Sequence, residues 1–122
     1  MATVAVYMSQ VFINEYDTQN IKAMSWDYKD TLSSSGNGNA VIIPPGVDSV
    51  QVALMPTAGS GKIQATLDKY EDVIDDPDAV DWVDWPSGVI AIGTQDSVNP
   101  PTAVRQVNVT GTTKMNVVAH RK

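Results

Sequence analysis

Eight carboxylates fall between Asp68 and Asp84, with Lys69 as the one base among them, so this stretch carries −7 while the rest of the chain is +1. Carboxylates at such density could do two kinds of chemistry. A calcium ion takes six to eight oxygens from carboxylates and carbonyls. A pair of carboxyls about 5 Å or about 6.5–9.5 Å apart can cleave a glycosidic bond, and here Asp81 and Asp84 flank Trp82, a ring that could stack on a sugar. The spacing favours neither. No Asp-x-Asp-x-Asp-Gly loop is present, because Val80 falls where a third ligand should stand. Nothing marks one carboxyl of a pair as buried and proton-retaining. A solvated loop that keeps the molecule soluble, or a negative patch meeting a basic partner, accounts for the run as well. On the second reading Asp75, Asp76 and Asp78 are contact residues.

Phosphate chemistry has one candidate, "MPTAGSGKIQATLD". A phosphate loop needs glycine five positions before its Gly-Lys pair and a hydroxyl residue after it; this chain has Pro56 and Ile63 there. The loop must also open a helix whose amides hold the phosphate. "KIQATLD" alternates with period two, which makes it a strand and Lys62 an ordinary strand lysine. The single histidine, His120, stands close to the last residue, a poor place for a catalytic triad. Without cysteine there is neither a disulfide framework nor a thiolate metal site. The expectation is a protein with no catalytic, cofactor-binding or metal-ligating residues, hence not an enzyme and without cofactors.

No basic stripe runs through the chain, which argues against nucleic acid as a partner. "MATVAVYMSQVF" has neither a basic leader nor a long apolar core, so no signal peptide or membrane span is expected. The length of 122 residues suits one domain with a core of its own.

The elements that must position these residues are strands. Met24, Trp26 and Tyr28 alternate with Ser25, Asp27 and Lys29; Val50, Val52 and Leu54 alternate with Gln51 and Ala53; Ile63, Ala65 and Leu67 alternate with Gln64, Thr66 and Asp68. "SSSGNGN", Pro44-Pro45-Gly46, "TAGSG", Pro86-Ser87-Gly88 and Thr110-Gly111-Thr112 read as turns. The last should close a hairpin between "TAVRQVNV" and "TKMNVVAH", and "DWVDW" and "GVIAIG" should be two further strands. Eight or nine short strands at this spacing predict an all-β fold, an antiparallel β-sandwich, jelly-roll-like or Ig-like. Residues 21–122 form the sandwich; residues 1–20 are an extended N-terminal arm or an edge strand.

Within that frame Trp82 and Trp85, three apart on one strand, point to opposite faces. One fills the core, and the other is partly exposed as an interface anchor. Arg105 lies on the apolar face of its strand and needs a partner, a carboxylate such as Asp84 or a tryptophan face. The arm carries Val6, Tyr7, Phe12 and Tyr16, which are core if the arm pairs and contact residues if it projects.

The series "IIPPGVDSVQVAL", "GKIQATLD", "AVDWVDWPSGVI" and "PPTAVRQVNVTGT" resembles small β-sandwich virion proteins of tailed bacteriophages. A Pro-Gly turn, a Gln-Ala-Thr strand, a Trp-Pro-x-Gly turn and a Thr-Ala-x-Arg strand recur there in that order. The similarity spans about residues 40 to 115 and leaves the arm outside. It implies a structural component of the particle, such as a head decoration (cement) protein on the capsid exterior, assembled in the host cytoplasm. The implied partners are the major capsid protein and further copies of the chain, often as a trimer. Another virion part (tail, connector or fibre) and a carbohydrate-binding sandwich using Trp82 or Trp85 remain alternatives.

Overall fold

A computed structural model describes residues 4–11 and 24–121. Nearly every regular element is a strand, as the period-two alternation requires. They are β1 (Ala5–Tyr7), β2 (Ser9–Val11), β3 (Met24–Leu32), β4 (Gly36–Asn37), β5 (Ala40–Ile42), β6 (Ser49–Thr66), β7 (Val83–Asp84), β8 (Thr94–Val98) and β9 (Ala103–Arg121). The helix among the described residues, α1 (Tyr70–Asp75), has six residues. All nine strands join one mixed sheet, with β1 parallel to β5 and the other pairs antiparallel.

The strands are partitioned differently from the expectation. "TAGSG" is no hairpin loop, because β6 runs through it for 18 residues. Thr110-Gly111-Thr112 closes no hairpin either, because β9 continues through it for 19 residues. These two strands pair along their whole length, from Ser49↔His120 to Thr66↔Ala103, with the register slipping only between Thr57 and Gly61. The reason lies where they cross. A Cβ on Gly59 would sit 2.7 Å from the Cα of Gly111, and one on Gly111 would sit 2.8 Å from the Cα of Gly59. Gly111 has φ +72, and Ala58 beside it has φ +55. The glycines that look like hairpin turns are a bulged bend at which two long strands touch backbone to backbone.

β6 occupies one edge of β9, so its other edge takes β3, β4 and β5 in succession. "SSSGNGN" therefore does not reverse the chain. It lets residues 24–42 follow β9 around the same bend. Beyond the bend β9 is flanked by β3 and the first part of β6, with β2 and β8 outside; before it, by β5 and the last part of β6, with β1 and β7 outside.

One core gathers residues from both halves: Val50, Val52, Leu54, Met115 and Val117 from one, Val41, Ile43, Ile63, Trp85 and Val104 from the other. The sheet thus doubles over on itself. At the bend, buried side chains add hydrogen bonds to the backbone and to one another. Asn108 Nδ2 donates to the carbonyls of Leu32 at 3.2 Å and Gly111 at 2.7 Å, and Thr113 Oγ1 donates to Gln106 Oε1 at 2.7 Å. Gln106 Nε2 donates to the Asp30 carboxylate. Burial raises the Asp30 pKa, against the lowering effect of its bonds to Gln106 and Tyr28.

Candidate functional site

The acidic stretch is not a free loop. After β6, the Thr66 hydroxyl accepts the Asp68 amide at 3.2 Å and turns the chain back across the outer face of the β5/β9 half. Val73 and Val80 are buried there against Ala40, Ile42 and Ala103 in a second, smaller core. Tyr70 Oη donates to the Ile43 carbonyl at 3.0 Å, and Trp82 Nε1 donates to the Pro77 carbonyl at 2.8 Å. Burial raises the Tyr70 pKa. Glu71 and Asp72 stand in the first turn of α1, where the helix dipole favours them. The apolar positions Val73 and Val80 thus hold the segment down, and Glu71, Asp72, Asp75, Asp76, Asp78, Asp81 and Asp84 face outward. Among the described residues no three His, Cys, Asp or Glu side chains converge into a group that could hold a metal ion.

Arg105 fastens this cover. Its guanidinium lies 4.3 Å from the centre of the Trp82 ring, its Nε donates to Gln64 Oε1 at 2.9 Å, and Nη1 stands 3.6 Å from Asp78 Oδ1. At 3.6 Å that last contact is an ion pair and too long for a hydrogen bond. Burial lowers the Arg105 pKa and Asp78 raises it again, and the group stays charged at any ordinary pH.

Asp84 is not the carboxylate that meets Arg105. Gln64 pairs with Asp84 on one side and Arg105 on the other, so the glutamine stands between them. Its Nε2 donates to Asp84 Oδ1 at 2.9 Å, and Lys62 Nζ reaches Asp84 at 3.0 Å. The bonds from Gln64 and then Lys62 hold the Asp84 carboxyl below its ordinary range.

The tryptophans divide as their spacing suggested, though not by strand parity, since only Val83 and Asp84 are in β7. Trp85 is 4% exposed, belongs to the main core and donates Nε1 to the Gly88 carbonyl at 2.6 Å. It is a core residue and no interface anchor. Trp82 is half-buried beneath Arg105. Near the N-terminus Val6 packs against the main core, while Tyr7 is 67% exposed. Phe12 and Tyr16 lie outside the described residues.

Several exposed apolar side chains escaped the sequence reading. Leu67, which alternates in step with Ile63 and is expected to share its strand face, is 82% exposed, because β6 ends at Thr66 and the turn at Asp68 follows. Val83 is 68% exposed. "GVIAIG" is not a strand. The Trp85–Gly88 turn breaks it, Gly88 has φ +63, and one bridge from Ile90 to Gly61 ties it to the sheet. Val89 and Ile92 consequently stand out on this loop, Ile92 being 80% exposed. The strand lies later, at Thr94–Val98, whose polar residues hid it. Glycine at both ends of an apolar run, straight after a Pro-Ser turn, is the signal that could have separated loop from strand.

Two hollows accompany these residues. One, of about 320 Å³, is lined by Tyr7, Met8, Trp26, Ile42, Tyr70 and Ile74 among others. The other, of about 460 Å³, lies between β7 and β8 beside Leu67 and Val83.

No protein-family model matches the sequence, and no curated protein does. Among solved structures the chain is similar to an oxalate oxidase, at 12% identity and TM-score 0.47, over 78% of this chain and 41% of that one. It is also similar to the cupin domain of Schizosaccharomyces pombe Cnp3, at 5% identity and TM-score 0.44 over 94% and 60% of the two chains. A third is a cupin 2 conserved barrel domain protein from Rhodopseudomonas palustris, at 13% identity and TM-score 0.37 over 92% and 61%. The chain spans about two-fifths of the length of that oxalate oxidase.

Proposed function

We propose that this protein is a non-enzymatic structural component of a tailed-phage virion, a head decoration or cement protein. It would bind the major capsid protein on the capsid exterior and associate with further copies of itself, as a trimer. The observation that carries the reading is the set of large apolar side chains presented to solvent: Tyr7, Leu67, Val83 and Ile92 are each at least two-thirds exposed. Leaving such surface in water is unfavourable unless another chain covers it. Tyr7 and Val83 are fixed by the sheet, so their contact area costs little ordering on binding. We further propose that the two halves of the doubled sheet are the layers of a jelly-roll-like sandwich. β6 and β9 pass from one half to the other without a break, and one core lies between them.

Light scattering on the purified protein and co-sedimentation with phage heads test the proposal. A trimer that pellets with heads, and loses the heads when Ile92→Ser is introduced, is the expected result. A monomer that pellets with nothing refutes it, and pelleting with tails alone moves the protein to another part of the virion. A carbohydrate-binding module fits less well, because Trp85 is buried and one face of Trp82 is taken by Arg105.

A further inference from the structure

We propose that the groove between β7 and β8 docks an extended segment of another protein, in which an apolar side chain is flanked by lysine or arginine. The groove follows from the topology. Both strands pair only with β6, β7 near its end and β8 near its start, and between them the edge of β6 is met by the single Ile90–Gly61 bridge. The two halves of the sheet part there, and the hollow of about 460 Å³ is where they open. Its floor is the edge of the main core, with Trp85 in it and Ala65 and Val98 packed against it. Leu67 and Val83 stand beside that floor, 82% and 68% exposed. An aliphatic side chain laid among them would take all three surfaces out of water together.

Charge names the flanks of that side chain. Asp68, Asp81 and Asp84 line the groove and no basic residue does. The Asp81 backbone amide donates to Asp68 Oδ2 at 3.1 Å, which fixes the Asp68 carboxylate beside residue 81. Lys62 answers the third, Asp84. A cationic residue on either side of the anchoring group would therefore meet a carboxylate, whereas an acidic segment would be repelled. The same argument disfavours a second copy of this chain, whose net charge is −6. β7 also presents a strand edge that no described strand pairs, so an extended backbone could add to it. This inference does not depend on the virion reading, since any basic extended partner would satisfy the groove.

The test titrates the intact chain with two capped pentapeptides, Arg-Thr-Leu-Thr-Lys and Glu-Thr-Leu-Thr-Glu, following tryptophan fluorescence because Trp85 lines the groove. The basic peptide is expected to bind saturably and to weaken about tenfold between about 50 and about 500 mM salt, and the acidic one not to bind. Asp81→Asn should weaken binding roughly threefold or more, and Asp81→Lys and Leu67→Ser should abolish it. Both positions are exposed, so thermal melting of these variants should match the parent and separate lost binding from lost fold. Equal binding of the two peptides, binding that survives Asp81→Lys, or no saturable binding overturns the proposal. So does a dimer that Leu67→Ser dissolves, which would make a second copy the occupant.

Discussion

Replacing Gly59 with alanine separates two accounts of the same residues with opposite signs. If "TAGSG" were a flexible hairpin loop, Gly59→Ala would cost nothing and would stabilise by about 0.4–1 kcal/mol through the unfolded chain. The structure demands the reverse. Gly59 has no positive φ, so its backbone accepts alanine, and the whole cost is contact. The new Cβ would lie 2.6 Å from the Thr110 carbonyl carbon, against backbone that has no side-chain freedom to yield. Relief requires β6 and β9 to separate at the bend by about an ångström. That forfeits one or two ladder bonds at about 1 kcal/mol each and adds roughly 1–3 kcal/mol of repacking strain. The net expectation is about 2–4 kcal/mol, or a Tm lower by roughly 6–20 °C for a domain of this size. Thermal unfolding followed by circular dichroism measures it, with Gly36→Ala as a control for φ strain without contact. An unchanged or raised Tm for Gly59→Ala would refute the continuous-strand crossing.

Arg105→Met keeps the aliphatic stem but removes the bond to Gln64 and the stacking on Trp82. The expected loss is about 1–3 kcal/mol, read by chemical denaturation, with a red shift of tryptophan emission as the acidic cover loosens. Asp30 has its folded pKa raised by burial, so its contribution is present below the unfolded carboxyl value and lost as pH rises through the folded one. Stability should therefore fall as pH rises above the ordinary carboxyl range near about pH 4, and Asp30→Asn, which can still accept from Gln106, should flatten that fall. Asp84 has the opposite sign, its stabilisation being present above about pH 4 and lost on acidification through its lowered folded pKa. Its exposure keeps the contribution under about 1 kcal/mol, and Asp84→Asn should remove it from the acid limb of the melting curve. Trp85→Ala should cost about 3–5 kcal/mol as a core truncation, measured by the same melts.

Alternation made the β class legible, along with the inward faces of residues 50–54 and the need of Arg105 for a partner. A Trp face was among the partners that could be foreseen. The connectivity was not legible, for a definite physical reason. Gly111 and the Ala58-Gly59 pair have the composition of hairpin turns, and a bulged bend between two long strands draws on the same backbone conformations. Only the partner strand tells the two apart. Asp84 was assigned to Arg105 on charge alone, and what separates them is Gln64, whose place between them is set by registers that no single strand reveals. The fate of the acidic stretch turned on Val73 and Val80. Two valines scattered among eight acids do not announce a buried face until a sheet with an uncovered side is there to receive them.

The position of β9 has a consequence for how the molecule comes into being. It is the shared neighbour of β3, β4, β5 and β6, so no subset of the earlier segments can assemble into either half without it. The pairs β1–β5, β2–β3, β6–β7 and β6–β8 lie wholly before β9, but the ladder that joins them is complete only when residue 121 has been made. Most contacts span long stretches of chain, a topology for which slow folding and aggregation through exposed edges are expected. A product that stops short of residue 103 should be degraded as a whole instead of surviving as half a domain.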